Sequence, residues 1–175
     1  SEWVALPPRW VRAAVDYPLW AGERCDAGYD VGLTSDRNVL FVRRGPVVEL
    51  PISWGTMPTH RSAARAVSEA ERAGAELLSY DVVGIGEGIS AYFGTREDRG
   101  EAVEIQHQGI QGGARPTDTP WYADQTAQDL FGNLRAELWW QVRERFRRTY
   151  ENRHEGANHA DEDCISIPEH AELIA

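Results

Sequence analysis

Apolar and polar positions alternate with period two over residues 27–32 (AGYDVG) and 38–43 (NVLFVR), with Leu33 to Arg37 as the turn between them. A further turn at Arg44-Gly45-Pro46 leads into VVELPIS, residues 47–53, so three antiparallel strands are predicted. Helical spacing then takes over. Ala63, Ala66, Val67 and Ala70 recur on one face of HRSAARAVSEAERAGA, with Thr59 as the expected cap and Gly74 as the stop. ELLSYDVVG (76–84) is strand-like, IGEGISAYFGT (85–95) opens a helix after a glycine turn, and EAVEIQHQG (101–109) is strand-like again.

After a Gly/Pro/Thr-rich loop at 109–120, one long helix is predicted over about 122–149. Phe131, Leu134, Leu138, Val142 and Phe146 form its apolar stripe. A polar loop, CISIP and a last short helix close the chain. Residues 1–24, with Pro7-Pro8 and three tryptophans around RWVRAAVDY, are expected to be a lead-in segment packed on a domain spanning 25–175. The order β-β-β-α-β-α-β-α implies an α/β fold with a mixed five-stranded sheet flanked by helices, whose site lies at the strand ends.

Composition narrows the chemistry. The 175 residues, 42% hydrophobic with seven tryptophans, suffice for a buried core. No apolar run is long enough to span a membrane, and no export signal is visible. Cys25 and Cys164 form no CxxC pair, so neither a disulfide framework nor a zinc knuckle is expected. The formal charge is −10, which argues against a protein that coats nucleic acid nonspecifically. All eighteen basic residues are arginine. The absence of lysine excludes an intact Walker-type ATPase, a Schiff-base lysine and a Ser-Lys dyad. Arginine is too basic to act as a general base, which leaves carboxylates, five histidines or metal-bound water for proton chemistry.

Asp30 on the first strand and Asp81 on the strand after the first helix are the carboxylates that neighbouring strands would bring together. Two abutting acids repel, and a divalent cation relieves the conflict. Mg²⁺ prefers oxygen ligands and takes one or two carboxylates plus phosphate and water. Two such ions about 3.5–4 Å apart stabilise both the attacking and the leaving oxygen of a phosphodiester displacement. The competing explanation is that both are solvated strand-end acids. GIGEG (84–88) lacks the rest of a dinucleotide fingerprint, and Glu87 either contacts a metal or is a helix-start acid favoured by the dipole. Arg143, Arg145, Arg147, Arg148 and Arg153 suit either a DNA-backbone track or a solvated helix C-terminus, and Arg43 and Arg44 at a hairpin tip are further backbone candidates.

The stretches GYDVGLTSDRNVLFVRRG, SYDVVGIGEGISAYF, FGNLRAELWWQVRERF and CISIPEHAEL, in that order, resemble the nuclease domain of phage terminase large subunits. The resemblance implies a ribonuclease-H-like fold and a two-metal (Mg²⁺ or Mn²⁺) endonuclease that cuts double-stranded DNA during viral genome packaging. It assigns Asp30 and Asp81 as metal ligands and Asp36 as an accessory acid, with Asp26 outside the matched block. It implies an attached ATPase domain, a portal and a small terminase subunit as partners, a monomeric isolated domain, and a location in the cytoplasm of the infected host cell. It also places a remaining metal-binding acid on a helix beyond CISIPEHAELIA, so a truncated domain with an incomplete site is expected, for which Asp161, Glu162 or Asp163 would be the nearest substitutes. Two alternatives stay open: a catalytically silent DNA-binding or motor-docking module on the same fold, and a resolvase-type nuclease.

Overall fold

The computed structural model describes residues 5–32, 36–83, 86–101 and 103–170, except for the side chains of residues 86 and 87. The chain forms two compact units, one of residues 21–110 and one of residues 1–20 with 111–175.

The first unit is a six-stranded mixed sheet with two helices. Its strands are β1 (Cys25–Asp30), β2 (Asn38–Arg44), β3 (Val47–Val48), β4 (Ile52–Trp54), β5 (Leu77–Asp81) and β6 (Gln106–Ile110). The helices are α2 (Thr59–Arg72) and α3 (Gly86–Asp98); α1 (Pro8–Ala14) belongs to the other unit. The strand order is β3-β2-β1-β5-β6, with β4 also on β2. β1 runs antiparallel to β2 and parallel to β5, and β5 parallel to β6. The third predicted strand is two short ones, because Pro51 has no N–H to donate to a ladder and the chain leaves the sheet between Glu49 and Pro51. That break accounts for six strands where five were expected. The last strand is confined to Gln106–Ile110, shorter than 101–109.

One sheet face carries Ala27, Tyr29, Leu40, Val42, Leu78 and Tyr80, all buried in a single core with Ala63, Ala66 and Ala70 of α2 and Ile89 and Phe93 of α3. The small face of α2 lets α3 approach closely. A Cβ added at Gly88 would lie 2.6 Å from Thr59 Cγ2, so Gly88 of GIGEG serves helix–helix contact. Thr59 itself is the first helical residue and makes no capping bond, whereas Gly74, at φ +75°, does end α2. Gly84 and Ile85, where the expected glycine turn begins, lie outside the described residues.

The second unit contains α1 (Pro8–Ala14), a hairpin of β7 (Pro120–Tyr122) and β8 (Gln125–Thr126), α4 (Ala127–Leu130) and α5 (Leu134–His154). The helix predicted over 122–149 is therefore three elements. Thr126 and Asp129 form a capping box that starts α4. The chain then breaks at Phe131-Gly132, and Asn133 Oδ1 accepts from Ala136 N to cap α5. The buried positions of α5 are Glu137, Phe146 and Thr149, while Leu138 and Val142 of the predicted stripe are 37% and 38% exposed. Glu137 is fully buried without an ion pair among the described residues. Its carboxylate accepts from Thr117 N at 2.7 Å, Thr117 Oγ1 at 2.6 Å and Gln141 Nε2 at 3.1 Å. Val15 and Ile167 form a parallel bridge that ties the segment after α1 to CISIP. Residues 171–175, which hold most of the last predicted helix, lie outside the described residues.

Candidate metal centre

The two predicted acids end adjacent parallel strands. In the β1–β5 register Tyr29 pairs with Tyr80, so the next step sets Asp30 beside Asp81. Both tyrosines point into the core, and alternation therefore turns both aspartates to the other face. Both are exposed, on strands about 4.8 Å apart. The first strand stops at Asp30, two residues earlier than predicted, so the acid sits at the strand end. The reason is Gly32, where an added Cβ would lie 2.5 Å from the Asp36 carbonyl oxygen, a close crossing that only glycine allows.

A buried polar network that sequence inspection missed fixes the Asp30 side. The Tyr29 hydroxyl lies 2.7 Å from Asn38 Oδ1 and 2.6 Å from Ser62 Oγ. Trp54 Nε1 donates to the same Ser62 oxygen at 2.9 Å, and the Tyr29 and Trp54 rings stack with centroids 5.5 Å apart. Asn38 Oδ1 also accepts from Gly32 N at 3.2 Å, which closes the hairpin just beyond Asp30. Burial pushes the Tyr29 hydroxyl above its ordinary pKa, partly opposed by the Ser62 hydrogen bond, so the phenol remains protonated. On the other strand Asp81 Oδ1 accepts from Val83 N at 2.8 Å, an Asx turn that orients the carboxylate as the chain leaves β5. A Cβ at Gly28, on the same face and two residues before Asp30, would meet nothing within 4 Å.

Two exposed carboxylates abreast at the ends of adjacent strands fit a hard divalent cation. Asp36 is exposed on the returning arm of the hairpin, and Glu87 lies in the first turn of α3 with its side chain outside the described residues. Among the described residues no group of three or more His, Cys, Asp or Glu side chains converges on one point. Asp161, Glu162 and Asp163 form a 3₁₀ turn in the other unit. There Asp161 accepts from Trp20 N and Asp163 pairs with Arg148.

The predicted DNA-contacting arginines have protein partners. Arg43 is paired with Asp26 at 3.1 Å yet is 42% exposed, on the same sheet face as Asp30. Asp26, which also binds Arg24, is thus an ion-pair acid on the surface. Arg44 donates to Glu49 and, at 2.5 Å, to the Ala73 carbonyl beyond the end of α2. Arg143 pairs with Glu144 and lies over the rings of Trp10 and Trp140 at 4.8 and 4.3 Å. Arg147 bridges Glu144 and Glu151, and Arg148 holds Asp163. His159 pairs with Glu151 at 2.7 Å.

No family model matches the sequence, and a search of curated proteins returns no match. Solved structures do match. The nuclease domain of the large terminase subunit of bacterial virus Sf6 has a TM-score of 0.85 at 22% identity, covering 98% of this chain and 78% of that one. A mutant of that domain solved with manganese and β-thujaplicinol gives the same values, and another was solved with calcium. The large terminase nuclease of thermophilic phage G20c, with bound magnesium, has a TM-score of 0.56 at 10% identity over 94% of this chain and 75% of that one. The fold is therefore ribonuclease-H-like α/β. More narrowly, it is the fold of phage large-terminase nuclease domains.

Proposed function

We propose that this chain is a divalent-metal-dependent endonuclease domain that cleaves double-stranded DNA during viral genome packaging. The observation that carries the reading is the in-register placement of Asp30 and Asp81 at the ends of adjacent parallel strands. The metal-bound structures of the Sf6 and G20c domains, solved with manganese, calcium, magnesium or zinc, support it.

Asp30 and Asp81 would hold Mg²⁺ or Mn²⁺, two ions in all, with Asp36 and Glu87 assisting from the hairpin and the start of α3. When bound, the cations neutralise the acid pair, polarise the scissile phosphodiester and make water nucleophilic near neutral pH. The protein's own contribution is placement. The Tyr29–Asn38–Ser62 network fixes the end of β1, and the Asx turn at Asp81 fixes the second carboxylate. The strand ends that carry both acids are thus set in advance, which lowers the ordering cost when cation and DNA bind. Arg43, about 13 Å along the strand from Asp30, is placed to meet the phosphate backbone beside the cut. The resemblance supplies the expected partners, namely an ATPase domain, a portal and a small terminase subunit, and the cytoplasm of an infected cell as the location.

A catalytically silent DNA-binding or motor-docking module is the second reading, favoured by the lack of a third converging ligand among the described residues. Supercoiled plasmid at low salt with Mn²⁺, with and without EDTA, separates the two. Metal-dependent nicking that Asp81→Asn removes supports the nuclease. Equal nicking by the variant refutes it.

A further inference from the structure

Many arginines of this chain pair with carboxylates, as at Asp26, Glu49, Glu69, Glu101, Glu144 and Asp163. Three arginines without an acidic partner among the described residues gather in one place. In the second unit, α1 and the end of α5 border a cleft of about 440 Å³ lined by Arg9, Arg12, Ala13, Tyr150, Arg153 and His154. Among the described residues no carboxylate lines it. The nearby Glu151 is already engaged by Arg147 and His159.

The cations are arranged in advance. Arg153 Nη1 donates to the carbonyls of Ala13 and Val15 at 2.9 and 3.2 Å, which fixes its guanidinium at the cleft wall. Arg9 lies over the Tyr150 ring at 5.8 Å, and the Tyr150 and His154 rings are 5.0 Å apart. Helix electrostatics account for only part of this. Basic residues in the last turn of α5 are favoured by its dipole, but Arg9 sits in the first turn of α1, where a cation is disfavoured. Among the described residues neither Arg9 nor Arg12 has an acidic partner, so both remain exposed donors in a chain of net charge −10. Guanidinium forks converging without a counter-ion suit phosphate oxygens.

We propose that this cleft is a phosphate-binding site that seats the backbone of double-stranded DNA through Arg9, Arg12, Arg153 and His154. The choice of DNA over a free phosphate rests on the nuclease reading; the anion chemistry does not. The site lies in the second unit, shares no residue with the Asp30–Asp81 pair or with Arg143, Arg147 and Arg148, and needs no metal.

The test is fluorescence anisotropy with a labelled blunt duplex in EDTA across a salt series. Arg9→Gln/Arg12→Gln is expected to weaken binding about tenfold or more at low salt and to lower the slope of log K against log salt by about two. Arg61→Gln/Arg72→Gln, on α2, removes the same charge elsewhere and should leave affinity within about twofold, since net charge alone acts diffusely. Arg12→Gln alone keeps the comparison valid if the double variant folds poorly. Equal losses in the cleft and control variants, or no loss in either, would overturn the site. So would binding of inorganic phosphate or AMP at Tyr150 and His154, followed by NMR, in a protein that does not bind the duplex. Because EDTA is present throughout, a protein that never nicks DNA can still pass, and the two proposals fail separately.

Discussion

Asp30 and Asp81 stand side by side at the ends of β1 and β5, one register step beyond the buried pair Tyr29–Tyr80. Each strand ends in Tyr-Asp, and the same alternation sends both tyrosines inward and both aspartates outward. The core contact therefore sets the geometry of the acids. In water, like charges about 5 Å apart repel by roughly 1 kcal/mol, a cost that a cation reverses.

Asp81→Asn keeps an oxygen to accept from Val83 N but removes the charge. Metal-dependent nicking should fall by at least about a hundredfold, as for loss of other charge-stabilising groups. In EDTA the melting temperature should be unchanged or slightly higher, because the repulsion is gone. Calorimetry beside the plasmid assay distinguishes this from simple unfolding.

Tyr29→Phe removes the hydroxyl that links Asn38 and Ser62 behind Asp30. Leaving buried polar groups short of a partner should cost about 1–3 kcal/mol in urea denaturation. Mn²⁺ affinity should weaken at the same time, since the hairpin closing on Asp30 depends on Asn38. An unchanged denaturation midpoint would show that the network is dispensable.

Gly88→Ala brings a methyl against Thr59 Cγ2 and is expected to cost about 1–3 kcal/mol through overpacking. Thr59→Ser removes that methyl. In its background the same Gly88→Ala change should be neutral or stabilising, since alanine is favoured over glycine within a helix by about 1 kcal/mol. A double-mutant cycle with no coupling would contradict the close approach of α2 and α3.

Burial acts to raise the pKa of Glu151, but hydrogen bonds from His159 and Arg147 outweigh it and hold the carboxyl below its ordinary range. Its contribution to stability is thus fully present above the unfolded carboxylate pKa of about 4.3 and is lost as pH falls through the depressed folded value. Glu151→Gln should flatten the acid limb of the melting temperature against pH while leaving binding of metal unaltered. An acid limb identical to that of the unsubstituted chain would rule the interaction out.

Short-range signals carried much of this molecule. The period-two run ending at Asp30, the alanine face of α2 and the strand before the glycines place the two acids on the strands where they lie. Long-range partners were not legible. Arg143 resembles a free cation in sequence, but it lies over Trp10, which is more than a hundred residues away in the chain. Glu137 resembles a solvated helix acid and is instead buried against the Thr117 loop, which turns α5 so that Leu138 faces outward. The unbroken 122–149 pattern also hid Gly132 and Asn133, whose stop-and-cap chemistry outweighs the continuing apolar spacing.

Whether the carboxylates of Asp30 and Asp81 share a cation is decided by soaking Mn²⁺ into crystals of the chain. An anomalous peak is expected between the ends of β1 and β5, about 2.0–2.4 Å from an oxygen of each aspartate. Carboxyl groups well over ~10 Å apart, several times the spacing of neighbouring strands, or manganese bound elsewhere with none at this pair, would contradict it.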